Sequence, residues 1–112
     1  MFDDINNVET FIELTKNEDP RIRKRALKEM CPCKVKKAID QIWERVFEMY
    51  DDPDTQVRYQ VMHTLCDGSP FDKEFEVIEI LEKMWNDKDE KLKRNVRRAL
   101  NSYRRTGKWN VL

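Results

Sequence analysis

The chain has 112 residues, with 22 basic and 22 acidic side chains and a formal net charge of zero. Two glycines in the whole sequence argue against a sheet protein with its turns, and balanced charge beside 39% hydrophobic residues argues against an unfolded polyelectrolyte. One all-α domain is expected, with no apolar run of membrane-spanning length, no basic-then-apolar opening in "MFDDINN", and an odd cysteine count that suits a reducing compartment, taken as the cytoplasm.

The elements follow from apolar spacing and punctuation. Helix α1 is expected over 4–16, carrying Val8, Phe11 and Ile12. Asp19–Pro20 reads as an N-cap followed by proline at the first helical position, so α2 is expected over 20–31 and stopped by Cys31–Pro32. Helix α3 is expected over 35–50, with Trp43, Val46 and Phe47 on one face. Either Asp52, before Pro53, or Asp54 caps α4, expected over 54–66. "DGSP" at 67–70 turns into α5, expected over 72–86, and "NDKD" at 86–89 separates it from α6, expected over 89–104. Gly107 follows the last helix, and the tail 105–112 brings Trp109, Val111 and Leu112 either over the open end of the helices or into a partner.

The second helix of each pair repeats with a period of 35. Asp19, Ile22, Arg23, Ala26 and Met30 align with Asp54, Val57, Arg58, Val61 and Leu65, and these with Asp89, Leu92, Lys93, Val96 and Leu100. The shared pattern is acid–x–x–apolar–base–x–x–apolar–x–x–x–apolar, one face of a helix. A helical hairpin with one apolar side needs neighbours to bury it, and about three repeats suffice. The expected architecture is therefore an α-solenoid of three hairpins, over 4–31, 35–66 and 72–104.

"DPRIRKRALKEM", "DPDTQVRYQVMHTL" and "DEKLKRNVRRAL" resemble the second-helix signature of short HEAT-like repeats, of the kind found in bilin-lyase-type proteins. The period lies near those of ankyrin and tetratricopeptide repeats, but the "TPLH" and tryptophan–leucine–glycine–tyrosine patterns of those families are missing. The resemblance implies an inter-repeat ladder of Asp19, Asp54 and Asp89 with Arg23, Arg58 and Lys93. It also implies that the second helices line a concave face.

Charge is sorted along the chain. Residues 19–37 carry eight bases and two acids, and residues 91–108 carry eight bases and no acid, whereas 1–18, 38–57 and 71–90 are acidic. A basic face on α2 and α6 is expected to bind an acidic partner through Arg21, Arg25, Lys28, His63, Lys91, Arg94, Arg97, Arg98 and Arg105. The bland counterpart is a pair of merely solvated faces, since surface ion pairs are weak and common. The expected function is a non-enzymatic protein-binding adaptor with no cofactor. Phosphate-backbone binding to nucleic acid is the alternative, resembling HEAT-like alkylpurine DNA glycosylases in face polarity alone; a subunit of a lyase-like or modifying complex is a third.

Other constellations carry less. Cys31, Cys33, His63 and Cys66 include the residue types of a zinc site, but "CPC" is tighter than the usual knuckle, and Cys31 and Cys66 occupy equivalent positions about 10 Å apart in packed helices; no metal is expected. A Cys–His nucleophile has no visible orienting group, and no phosphate-binding glycine loop or "HExxH" occurs. His63 is followed by threonine, which excludes the His–Glu iron pairs of some HEAT-like solenoids. Trp43, Phe47, Tyr50, Phe75 and Trp85 fall at helical spacing and are expected in the packing layer.

Overall fold

The structure, a computed structural model, describes residues 8–29, 40–69 and 71–107. Six α-helices account for most of them: α1 (Val8–Thr15), α2 (Pro20–Glu29), α3 (Asp40–Glu48), α4 (Thr55–Gly68), α5 (Glu74–Lys83) and α6 (Glu90–Thr106). Short 3-10 turns at Met49–Asp51 and Phe71–Lys73 prolong α3 and open α5. Among the described residues there is no strand, and no helix is long and apolar enough to cross a membrane.

The helix starts are chemically explicit. Asp54 and Asp89 have extended backbones, and their carboxylates accept the Val57 and Leu92 N–H groups at 3.0 and 2.9 Å. Asp19 does the same for Arg21 at 2.9 Å. Each satisfies a donor that the first helical turn leaves without a partner. Asp54, not Asp52, is therefore the cap of α4. At the other end of the chain Gly107 takes a left-handed conformation, φ 75°, and donates to Tyr103 O at 2.7 Å, closing α6. The turn expected at 67–70 begins later, because α4 continues through Gly68 and Ser69 caps it.

The helices pack in two interlocked series: α2 lies against α4 and α4 against α6, while α1 lies against α3 and α3 against α5. Contacts of α1 with α2 and of α5 with α6 join the series at both ends. Helix α4 is thus enclosed on two flanks, and Val57, Val61, Met62 and Leu65 are buried along its length. The equivalent Leu92, Val96 and Leu100 of α6 are buried too, as is Ala26 of α2, while Ile22 is half-buried. Phe11, Trp43, Val46, Val77 and Leu81 supply the core from the first helices of the pairs.

The aromatic expectation needs one correction. Trp43 is buried and Phe47, Tyr50 and Trp85 pack against the core, but Phe75 is 82% exposed. At about 100° per residue it stands opposite Val77, Ile80, Leu81 and Met84, the face that α5 buries, so its spacing is helical but its side is the wrong one. Met30, the Cys31–Pro32 stop, Cys33 and the tail residues Trp109, Val111 and Leu112 lie outside the described residues.

The repeated apolar positions make a direct test. Val61 has no exposed surface. Val61→Asp would place an unpaired carboxylate there, at several kcal/mol against a total stability of about 5–15 kcal/mol. Circular dichroism should show loss of the cooperative melt; a helical spectrum and melting temperature close to wild type would contradict the register.

Candidate functional site

Three loops of identical construction precede α2, α4 and α6. Asn17 Oδ1 accepts the Asp19 N–H, Asp52 Oδ1 that of Asp54, and Asp87 Oδ1 that of Asp89, each at 2.9 Å. This side-chain turn aims the next aspartate at its helix terminus. An arginine one turn into each of the first two helices then links consecutive loops. Arg23 donates from Nε and Nη2 to both carboxylate oxygens of Asp52, at 3.0 and 2.9 Å, and from Nη1 to the Asn17 and Glu18 carbonyls. Arg58 repeats the arrangement with Asp87, at 2.9 and 3.2 Å, and with the Asp52 and Pro53 carbonyls. Arg58 and Asp87 are 3% and 7% exposed, Arg23 and Asp52 13% and 9%. The two-pronged bond to Asp52 raises the Arg23 pKa above its ordinary value against the opposing effect of burial.

The ladder expected between Asp19, Asp54, Asp89 and Arg23, Arg58, Lys93 is thereby re-partnered. Those aspartates are helix caps, and the acids that receive the arginines lie two residues earlier, at Asp52 and Asp87. Lys93, in the last repeat, bonds Glu90 on its own helix at 3.0 Å. Asp19 is held below the usual carboxylate range by the Arg21 side chain and then the Arg21 backbone N–H. The signal for Asp52 and Asp87 was available in the spacing: with Asn17 they recur at 35 residues.

The basic residues of α6 divide into two stripes. Successive helical residues turn by about 100°, so Lys91, Arg94, Arg98 and Arg105 share one flank while Arg97 and Arg104 share another. The second flank faces α5. Arg97 Nε donates to Trp85 O at 3.0 Å, its Nη2 to Asn86 Oδ1 at 2.7 Å, and its guanidinium lies 4.9 Å from the Trp85 ring centroid. Arg104 bonds Glu82 at 3.3 Å. Arg97 therefore leaves the set of expected partner-binding residues and joins α6 to α5. Lys91, Arg94, Arg98 and Arg105 are exposed and have no acid within ion-pair distance among the described residues.

On α2, Arg21 pairs with Asp19 at 2.9 Å and Arg25 with Glu29 at 4.0 Å. Lys28 is exposed without such a pair among the described residues, and Lys24 reaches Gln56 of α4 at 3.5 Å. Between these two sets of cations runs a groove of about 440 Å³, whose floor is Thr55, Gln56, Tyr59, Gln60 and His63 of α4. Lys24 forms one wall and Lys91 the other, with Asp89. Of the expected binding residues, His63 and Lys91 line this groove, and Arg94 lies close enough to act on the Tyr59 hydroxyl. Lys24, Gln56, Tyr59 and Gln60 were not expected there. Their signal is the same period, which matches Lys24, Tyr59 and Arg94.

The groove chemistry is polar. Tyr59 donates its hydroxyl to Asp89 Oδ2 at 3.3 Å, and burial, followed by the Asp89 charge, raises its pKa. The Asp89 carboxylate is engaged by both this hydroxyl and the α6 cap. Gln60 Nε2 donates to Thr64 Oγ1 at 3.3 Å. His63 is exposed, whereas Cys66, one turn further on, is buried, so the two candidate metal ligands present different environments. Cys31 and Cys33 lie outside the described residues, among which no three His, Cys, Asp or Glu side chains gather in a way that could hold a metal.

In comparisons with protein-family models, curated proteins and solved structures, nothing matches the chain.

Burial, with a smaller contribution from Asp67, pushes the Cys66 thiol up to about 12. It is protonated at pH 8 and shielded, so a maleimide should leave Cys66 unmodified in the native chain and label it in urea, as read by mass mapping of its peptide. Native labelling at the urea rate would contradict this placement.

Proposed function

We propose that this chain is a HEAT-like α-solenoid of three hairpins that works as a non-enzymatic binding module, taking an acidic protein segment on the face made by α2, α4 and α6. The observation that carries the reading is the set of cations on both sides of the polar α4 groove, Lys24 and Lys28 on one and Lys91, Arg94 and Arg98 on the other, that have no acid within ion-pair distance among the described residues. Charges already bonded within the molecule add little attraction, whereas exposed, unpaired ones of a single sign attract an acidic partner. Three features support the solenoid: the period of 35, the order of helix contacts and the repeated Arg–Asp bonds between consecutive loops. A binding role also accords with a groove floor of a hydroxyl, two amides, a phenol and an imidazole, groups that can hydrogen-bond a segment laid across them.

The test is charge reversal. Arg94→Glu with Arg98→Glu should abolish binding of a fluorescein-labelled Glu/Asp-rich peptide and leave helicity unchanged, since exposed substitutions shift stability by about 0.5 kcal/mol or less. Reversal of Glu76 and Glu79 on α5 should have little effect. Equal binding by both variants and wild type would reduce the basic face to a solvated surface. Tighter binding of duplex DNA than of the peptide, with a log–log salt slope of about −0.9 per phosphate neutralised, would favour nucleic acid instead.

A further inference from the structure

Among the described residues, Phe71 and Phe75 are the large apolar side chains left in water, 90% and 82% exposed. Phe71 opens the 3-10 turn at the head of α5, and Phe75 follows one turn later. A single exposed apolar residue is ordinary. Two aromatic rings one turn apart are a patch, because each removes about 150–250 Å² from water when it is covered.

The rim of the patch is acidic. Asp72, Glu76 and Glu79 are exposed and have no base within ion-pair distance among the described residues. Lys73, the cation beside them, is taken by Asp40 of α3 at 2.9 Å. Two copies of this patch repel one another, whereas a cationic surface that also accepts aromatic rings complements it.

The α4 groove is such a surface. Tyr59 and His63 lie in its floor and Lys24 and Lys91 in its walls. A cation over an aromatic ring attracts it, as Arg97 does 4.9 Å from the Trp85 centroid. Two acids limit the groove. Asp89, in one wall, is bonded by the Tyr59 hydroxyl and the Leu92 N–H. Asp67 stands one turn beyond His63 on the same side of α4, and the cationic stretch ends there.

Helix α6 separates the patch from the groove. Phe75, Glu79 and Glu82 share one stripe of α5, and Glu82 bonds Arg104 on the flank of α6 that faces α5. Lys91, Arg94 and Arg98 are on the other flank. A chain therefore cannot seat its own patch in its own groove.

We infer that the acidic segment held in the groove belongs to a second copy of this chain: Phe71 and Phe75 of one copy seat over Tyr59 and His63 of the next, with Asp72, Glu76 and Glu79 against Lys24, Lys91 and Arg94. This rests on the acidic-segment reading above and names its partner. Each contact joins unlike surfaces and leaves one patch and one groove open, so copies join head to tail. Two rings and a few exposed ion pairs make a small contact, and the association is weak and reversible.

Sedimentation velocity on the full chain tests this. In low salt the weight-average mass should rise with concentration between about 5 and 500 μM, and in about 0.5 M salt it should fall back toward the monomer. Phe71→Ser with Phe75→Ser removes the rings, and Arg94→Glu with Arg98→Glu reverses the groove's cations. Each variant alone should stay monomeric, with circular dichroism unchanged. Mixed one to one they should form a dimer and nothing larger, because the first keeps an intact groove and the second an intact patch. A wild-type chain that stays monomeric throughout overturns the second-copy partner. A variant that associates as wild type does overturns it too, as does a mixture without dimer. The acidic-segment reading stands in each case as long as the labelled peptide still binds the chain at concentrations where it is monomeric; loss of that binding as well overturns both.

Discussion

The arginine–aspartate bonds that join one loop to the next set the register of the second helices, and the rest of the molecule follows from that register. Arg58 grips the carbonyls of its own loop with one nitrogen and the Asp87 carboxylate of the next loop with two others. Arg23 does the same one repeat earlier. Apolar packing alone is non-directional and would tolerate α4 sliding against α6. A buried two-pronged ion pair does not, because displacement by one residue would strand both charges away from water. The desolvation penalty of such a pair offsets much of its attraction, so its main effect is geometric rather than a large net stabilisation.

That register produces the surface as well as the core. With α2, α4 and α6 aligned, Val57, Val61 and Leu65 of α4 share one buried core with Leu92, Val96 and Leu100 of α6, and Lys24, Tyr59 and Arg94 occupy equivalent positions of the period. The loop aspartates divide the work: Asp52 and Asp87 receive the arginines and shape the turn, while Asp54 and Asp89 cap helices. Asn17, at the first of these positions, forms the same turn without a charge. No arginine of an earlier repeat faces it in the described residues, so an uncharged acceptor is sufficient there.

The helices and their apolar faces were legible in the sequence because spacing and burial obey the same periodicity. The partners of the ladder were not, because each loop offers two aspartates only two residues apart and either one fits an acid-then-base pattern. Distance along the chain cannot distinguish a carboxylate that points at its own helix terminus from one that points at the preceding repeat. The basic face was legible in sign but not in membership. Counting charges over residues 91–108 pools two flanks of α6, and the flank of Arg97 is turned to Trp85. Phe75 shows the same loss of information: helical spacing assigns a stripe, but the stripe that is buried depends on what packs against it. The uncharged positions of α4 on this face could be read directly, since Gln56, Tyr59 and His63 stand where α2 and α6 have cations.

A double-mutant cycle on Arg58 and Asp87 addresses the register most directly. Asp87→Asn keeps an acceptor for the Asp89 N–H, as Asn17 does for Asp19, and removes only the charge; Arg58→Met keeps the bulk of the side chain and removes its donors. Either single change should cost about 3–5 kcal/mol by leaving its partner buried and unpaired, and the double variant should cost less than the sum by a coupling of about 1–3 kcal/mol, read from urea denaturation of the four proteins. Additivity within about 0.5 kcal/mol would contradict the account, because it would mean that the two side chains stabilise the fold independently and the loops are aligned by something else.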